Sequence, residues 1–542
     1  MTFPATTQAD LNDLYTARDI SWVSSIRRHA LMVPDRVAIV EGDETHTWCD
    51  FYTRICSMAN ALAARGLSFG DRAMLCTGNS YRMLEFILAT HLCGALAVPV
   101  NFRSTVGELV YAATDCRPCF ILSDELTIDT VAEACDKVPH ELRHITLADA
   151  TPEGVFSYNE LMAEESPDFL HPEIPSRTPA FILYTSGTTG RPKGAVLTHQ
   201  NLLSNGVVCM SAYEGIRAED AMMVSTPMFH IGALGGMSAL VVCGGKLVIQ
   251  KSTSFDPDEI LTSMETNGVS ITFMVPTQWQ MLVKQAREKD YDLSKLRILG
   301  WGAAPATVRL LTDMNEVFPT ASAVAFFGQT EMSPVTCVLE ARYAREKVGS
   351  IGRPVPQVTA RVVDEEMNDV PQGQVGEIVY RGSGMMVGYW NDPERTSQAM
   401  QGGWFHSGDL VYVDEEGFYY VSDRKKDMII SGGENIYSAE VENVLSMHPA
   451  ISELAVVGKP HEKWGETPVL FVVPNDGFDV PTVADITEFA RNDLAKFKIP
   501  TEVYGVDAMP RNTAGKILKT ELRERVGGTP HAIGETMNPP TT

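Results

Sequence analysis

The stretch Tyr184-Thr-Ser-Gly-Thr-Thr-Gly-Arg-Pro-Lys-Gly194 gathers hydroxyl groups and glycines and closes on a cation, directly after the apolar run Ala180–Leu183. Gly187, Gly190 and Gly194 can take φ > 0 and carry no side chain, so backbone N–H groups can wrap around anionic oxygens. Thr185, Ser186, Thr188 and Thr189 add hydroxyl donors, and Lys193 adds a point charge. Such a loop suits a polyphosphate. It departs from the P-loop pattern GxxxxGK[ST], because Pro192 precedes the lysine and Gly194 stands where Ser or Thr is needed. Taken alone, the same composition also makes a solvated turn.

Four further stretches could do chemistry. Trp301-Gly302-Ala303-Ala304-Pro305 and Phe327-Gly328-Gln329-Thr330-Glu331 combine flat apolar surface with a carboxylate. Gly403-Trp-Phe-His-Ser-Gly-Asp409 sets a second carboxylate in a glycine-rich turn. Asp423-Arg424-Lys425-Lys426-Asp427 runs on to Ser431-Gly432-Gly433-Glu434-Asn435, and Pro510-Arg-Asn-Thr-Ala-Gly-Lys516 ends in a lysine. Singly these read as loop acids, a linker and a surface lysine. Together with the first loop, they resemble the adenylate-forming enzymes: acyl-CoA synthetases, peptide-synthetase adenylation domains and beetle luciferases. The resemblance runs from about Trp22 to Arg525.

That resemblance implies roles. Thr185, Ser186, Gly187, Thr188, Thr189, Gly190 and Lys193 would hold the ATP phosphates. Gly302, Ala303 and Ala304 would run beside adenine, with Phe327, Gly328, Gln329 and Thr330 on its other side. Glu331 would bind Mg²⁺ with Thr185 as its partner, a sparse oxygen set that suits a hard cation bridging phosphates. Asp409 would accept the ribose hydroxyls, and Arg424 would reach the ribose and phosphate. Lys426 would be a hinge, and Ser431, Gly432, Gly433 and Glu434 would meet coenzyme A. Lys516 would reach the α-phosphate and the substrate carboxylate. The acyl pocket would take Phe229, His230, Gly232, Trp301 and Gly328, with His230 as a candidate catalytic group or a packed histidine.

The implied reaction is ATP- and Mg²⁺-dependent ligation of a carboxylic acid to coenzyme A through an acyl-adenylate. Met228–Leu234 and Gly235–Val242 carry no ionisable group besides His230, which favours an apolar acyl tail and leads to a fatty acid as the expected substrate. An aryl or cyclic acid is the alternative. The Phe-Asp-x-Ser pattern of amino-acid-activating members is absent near His230. A catalytically silent nucleotide-binding regulator and a luciferase-like oxygenase share the same motifs and stay open.

The elements that must position these stretches follow an α/β rhythm. Ala73–Cys76, Ala97–Val100 and Phe120–Leu122 read as strands; Ser80 caps one helix, with Met83, Leu84, Ile87, Leu88 and His91 on one side, and Thr105 with Glu108 forms a capping box for another. His91 reads as a core histidine. Gly245–Gln250 and Ile271–Val275 are strands flanking a helix over Asp256–Asn267. After Lys347 short strands (Thr359–Val363, Gly376–Arg381, Leu410–Val413, Phe418–Val421) suggest a small β-barrel-like unit. A C-terminal domain then carries a helix over Ala439–Met447, strands Leu454–Val457 and Val469–Val473, and a helix capped by Thr482 that runs to Leu494.

The expected architecture is a large N-terminal domain, residues 1–424, of two βα subdomains (1–179 and 180–346) and a β-barrel-like part (347–424). A hinge at 425–427, a smaller mobile α+β domain at 428–526 and a flexible tail at 527–542 complete it. The formal net charge of -25 argues against a general nucleic-acid binder. Ten scattered cysteines imply a reducing, cytoplasmic setting, with Cys116-Arg-Pro-Cys119 read as two strand-edge thiols. No apolar run is long enough to span a membrane. Small-molecule acid, ATP and coenzyme A are the expected partners, and a homodimer is left open.

Lys516 gives the first test. Its charge would offset repulsion between the incoming carboxylate and the triphosphate, which concerns the first half-reaction alone. Lys516→Ala should lower overall ligation on the order of 10²-fold or more while costing no more than about half a kcal/mol of stability. Synthetic acyl-adenylate plus coenzyme A should still give thioester at close to the wild-type rate. A variant equally slow from preformed adenylate would move Lys516 to the second step.

Overall fold

The computed structural model describes residues 20–164, 166, 174–185, 192–212, 215–303, 306–424, 427–431, 434–491, 493–511 and 517–527. They form two compact units. The first takes the residues up to 359 together with 381–405, and the second takes 360–380 and those from 406 onward.

The apolar runs of the first unit become strands buried on both faces, as parallel strands covered by helices must be. One sheet has the order Gly388–Tyr389, Lys193–Thr198, Pro179–Thr185, Leu96–Pro99, Arg72–Cys76, Phe120–Ser123, Arg143–Thr146, Phe156–Ser157. It is parallel from Pro179–Thr185 onward, and Lys193–Thr198 returns antiparallel beside Pro179–Thr185. In the second sheet the parallel strands Val37–Glu41, Lys246–Ile249, Ala221–Val224, Ile271–Met274, Ile298–Gly302 and Ser322–Gly328 follow one another, with Glu44–Thr47 antiparallel at one side and Val335–Leu339 and Ser350–Pro354 antiparallel at the other.

The joint expected at 179/180 does not follow these sheets. Pro179–Thr185 pairs with Leu96–Pro99, and the hairpin from Val37 to Thr47 joins the second sheet beside Lys246–Ile249. Both placements depend on partners far along the chain, which a local pattern of strands and helices does not specify.

Local signals hold well. Ser80 accepts from Met83 N, and Thr105 with Glu108 closes a capping box at the head of Val106–Cys116. Helix Tyr81–Leu92 is buried nearly all round instead of on one side, with Glu85 and Thr90 inside as well. Glu85 is held there by Arg54 and by the Tyr158 hydroxyl, which donates at 2.7 Å. Cys116 closes its helix and is buried, so it is not a strand-edge thiol; all ten cysteines are free.

In the second unit, the strands over Val358–Val363, Gly376–Gly382, Phe405–Val413 and Tyr419–Arg424 lie side by side in that order. Farther along, Ile451–His461 and Gly465–Pro474 form a long antiparallel pair joined by Val503–Gly505 and by the hairpin Ile429–Ser431/Glu434–Ile436. Side chains alternate across this sheet. Val456, Leu470 and Val472 face a core with Val441, Leu445 and Ile486, whereas Val457, Val469 and Phe471 face Leu522. The helix that Thr482 caps runs only over Val483–Ala490, after which Leu494 N returns to the Ala490 carbonyl.

Under Pro179–Thr185 sits a dry polar cluster. The Trp22 indole donates to His91 Nδ1 at 3.0 Å, His91 Nε2 donates to the Ala180 carbonyl at 2.8 Å, and the His199 ring lies edge-on at 5.1 Å. Burial pushes His91 down to about 3, and burial, then the His91 charge, push His199 well below its usual value. Both rings are therefore neutral in the native state. An unfolded chain binds these protons below about pH 6.5, so their contribution to stability is complete above that pH and is lost as pH falls toward 3. Each depressed imidazole contributes up to about 1.4 kcal/mol per pH unit in that window. His91→Phe should be less stable at pH 7.5, because Trp22 and Ala180 lose their partner, yet lose about 2 kcal/mol less than wild type between pH 7.5 and 5.0 by urea titration. Equal acid losses would contradict the neutral assignment.

Candidate active site

Parallel strands present ligands at their carboxyl ends, and Thr185, Trp301, Gly302, Phe327 and Gly328 stand at such ends. Trp301 and Gly302 end one strand and pair with Ala325 and Phe326 of the next, whose end carries Phe327 and Gly328. Gly302 is required by space, because a Cβ would lie 2.4 Å from the Phe326 carbonyl oxygen. At Gly328 a Cβ would fall 1.8 Å from the Pro334 carbonyl oxygen. That close approach lets Gln329 N donate to Pro334 O at 3.0 Å and folds Thr330–Met332 into one tight turn. Glu331 on this turn is buried. Ala303 takes φ 65°, the left-handed region.

The carboxylate of Glu331 is brought to Lys193. The ammonium of Lys193 donates to the Tyr389 hydroxyl at 2.6 Å, and that hydroxyl donates to Glu331 Oε1 at 2.8 Å. Lys193 Nζ stands 3.9 Å from the same carboxylate oxygen. Thr185 pairs across the two strands with Lys193 and donates from its hydroxyl to the Lys193 carbonyl at 3.4 Å. Burial, then the Glu331 charge, push the Tyr389 phenol far up, so it stays neutral.

Tyr389 was not found from the sequence. The segment around it is fastened by backbone bonds: Met386 N to Glu331 O at 2.8 Å, Val387 N to Val196 O at 2.9 Å, and Trp390 N to Gly194 O at 2.7 Å. Asn201 donates to the carbonyls of Ser383 and Met385. A two-residue strand opposite Lys193–Thr198 has no periodicity to detect, and its partners lie almost two hundred positions earlier.

Phe229 and His230 follow strand Ala221–Val224, and Phe102 follows Leu96–Pro99. The Phe102 and Phe229 rings meet edge to face with centroids 6.0 Å apart, and the Phe229 and His230 rings are 4.3 Å apart. His230 precedes helix Ile231–Cys243 without capping it through its side chain, and its Nε2 is buried with no hydrogen-bond partner. Burial lowers its pKa to about 4, so the imidazole is neutral near pH 7. The Phe273 ring passes between Gly232, 3.9 Å from a built Cβ, and Gly302, at 3.1 Å. Phe102 and Phe273 are aromatic surfaces that the motifs did not flag.

The second unit holds Asp409 and Arg424 as cross-strand partners, with Arg424 Nε 3.4 Å from Asp409 Oδ1. Ser431 and Glu434 face each other across a hairpin. Ser186, Gly187, Thr188, Thr189, Gly190, Ala304, Lys426, Gly432, Gly433 and Lys516 lie outside the described residues.

Among the described residues no group of three or more His, Cys, Asp or Glu could hold a metal ion. The oxygens of Glu331 and Thr185 are hard donors that fit Mg²⁺ arriving on phosphates, a role for which one or two protein oxygens suffice. No helix among the described residues is long and apolar enough to cross a membrane.

Residues 26–390 match the AMP-binding enzyme model and residues 440–516 the AMP-binding enzyme C-terminal domain. The chain is 37% identical to a feruloyl-CoA synthase of Amycolatopsis sp over 505 residues, covering 92% of this chain and 98% of that one. It is 34% identical to an indoleacetate–CoA ligase of Aromatoleum aromaticum over 505 residues, 92% of this chain and 97% of the other. The o-succinylbenzoate CoA synthetase of Bacillus subtilis, solved with its acyl-adenylate intermediate, superposes with a TM-score of 0.81 at 30% identity, covering 92% of this chain and 97% of that one.

The Glu331 carboxylate can be tested at its charge. Glu331→Gln keeps the shape of the turn and the Tyr389 contact but removes the anion. Acid-dependent exchange of labelled pyrophosphate into ATP should fall on the order of 10²-fold, the scale of losing one electrostatic stabiliser. Normal exchange with an unchanged Mg²⁺ requirement would remove Glu331 from the site.

Proposed function

The chain belongs to the AMP-binding enzymes and is an AMP-forming acid–CoA ligase, and we propose that its acid is aromatic. The ring surfaces of Phe229 beside His230, of Phe102 against Phe229 and of Phe273 between Gly232 and Gly302 carry this reading, since aromatic side chains bind a flat ring by offset or edge contacts worth about 0.5–1.5 kcal/mol each beyond area burial. The feruloyl and indoleacetate relatives, named for aromatic acids, support it. The aryl alternative is preferred to the fatty-acyl substrate expected from the apolar stretch after His230.

Lys193 and the hydroxyls and N–H groups of 185–190 would hold the triphosphate, and Gly302, Ala303 and Phe327 would flank the base. Glu331 and Thr185 would hold Mg²⁺, which would supply charge neutralisation at the phosphates. The acid carboxylate attacks the α-phosphorus in line, pyrophosphate leaves, and coenzyme A thiolate then displaces AMP from the acyl carbonyl. The chain supplies position and charge rather than a nucleophile. Neutral His230 lines the acyl pocket, where its unpartnered Nε2 can meet a polar group of the acid. By the family resemblance, Asp409 and Arg424 would serve the ribose, Lys516 the first step, and Ser431 and Glu434 coenzyme A in the second.

Pyrophosphate release across a panel of acids tests the substrate class. Indole-3-acetate, ferulate or 2-succinylbenzoate should exceed C8 to C16 alkanoates in kcat/KM by about tenfold or more, the discrimination that roughly 1.4 kcal/mol of differential binding provides. A preference for alkanoates would restore the fatty-acyl reading.

A further inference from the structure

We propose that Tyr389 is a positioning residue for the phosphate centre, its hydroxyl standing as a neutral spacer between the Lys193 ammonium and the Glu331 carboxylate. The inference rests on the reading that these two charged groups serve ATP and Mg²⁺.

The geometry carries it. A lysine and a glutamate free to meet close to about 2.7–2.9 Å, and where water is scarce their attraction rises steeply. Here the side chains of Lys193 and Glu331 are mostly buried, yet Nζ and Oε1 stand 3.9 Å apart, each bonded to the same phenol oxygen. The phenol accepts from the cation and donates to the anion, so one oxygen fixes the positions of both groups and holds them at 3.9 Å instead of in direct contact. A lysine and a carboxylate in direct contact would have to separate further before the lysine could meet a phosphate and the carboxylate a metal.

The spacer is fixed from several sides. Tyr389 N donates to Thr396 Oγ1 at 2.9 Å, and a Cβ on Gly388 would lie 2.8 Å from the Thr396 methyl carbon. Neighbouring backbone bonds tie this segment to the strand of Lys193 through Gly194 and Val196, and to the turn of Glu331 at its own carbonyl. Lys193 also lies over the Tyr389 ring, 4.2 Å from its centroid. The hydroxyl is thus referenced to both charged residues, and its place does not depend on either side chain.

Tyr389→Phe removes the oxygen and keeps the ring. In pyrophosphate–ATP exchange with the full-length enzyme, kcat/KM for Mg·ATP should fall about 10- to 100-fold and half-maximal activity should need about tenfold more Mg²⁺. KM for the acid, and thioester formation from synthetic adenylate, should stay within twofold. In a Lys193→Ala background, where no cation can close on Glu331, adding Tyr389→Phe should change exchange by less than twofold, the non-additivity expected of one network. A fold defect would instead lower both backgrounds equally, and that result overturns the spacer role. Wild-type behaviour of Tyr389→Phe alongside collapsed Lys193→Ala and Glu331→Gln also overturns it, while the nucleotide reading stands. If Lys193→Ala and Glu331→Gln both keep full exchange, the nucleotide reading itself fails.

Discussion

A cation and an anion kept close without touching are what the centre of the first unit is built around. Lys193 comes from the returning strand of one sheet and Glu331 from the turn after the last parallel strand of the other. Bringing them within 3.9 Å requires both sheets to end at the same place, and the glycines at 194, 302 and 328 are where backbones or side chains approach too closely for a Cβ. The segment from Ser383 to Trp390 then ties the two ends together through main-chain bonds. Side chains at such a junction can be placed to the accuracy that phosphoryl chemistry demands, because the backbone on each side is over-determined.

A second consequence concerns polarity. The chain is strongly acidic overall, yet within the first unit Lys193 stands beside the buried Glu331, while Phe102, Phe229 and a neutral His230 form an aromatic group. In the second unit, Asp423 accepts from Ser438 N and Arg424 N, and Lys519 pairs with Glu442 at 2.7 Å, so the chain on either side of 425–426 is tied into a buried ionic cluster with Arg523 on Asp427. Breaking any member would leave an uncompensated charge, which makes these residues costly to alter.

Much of this was legible in the sequence where the signal was local. Ser80, Thr105 and Thr482 cap helices as their spacing to Met83, Glu108 and Asp485 requires, and the strand pattern of both units follows the apolar runs. Thr185, Lys193, Glu331 and Asp409 were singled out by strings that resemble the family's motifs, and the structure brings Lys193 and Glu331 to within 3.9 Å of each other. What stayed hidden depends on long-range closure. Sheet membership of Pro179–Thr185 and of the Val37 hairpin is set by partners that no local window contains. Tyr389 sits in a two-residue strand and Phe102 just past a four-residue one, so neither has a periodicity that points to a site. The apolar stretch after His230 gave no sign of the rings of Phe102 and Phe273, which come from other parts of the chain.

The central claim is that the acid is activated at the α-phosphorus of ATP in a site organised around Lys193 and Glu331. The most direct measurement follows the oxygen. With indole-3-acetate labelled with ¹⁸O in its carboxylate, plus ATP, Mg²⁺ and coenzyme A, mass spectrometry should find one ¹⁸O in AMP and none in pyrophosphate. Label in orthophosphate, or ADP as the nucleotide product, would place attack at another phosphorus and contradict the account.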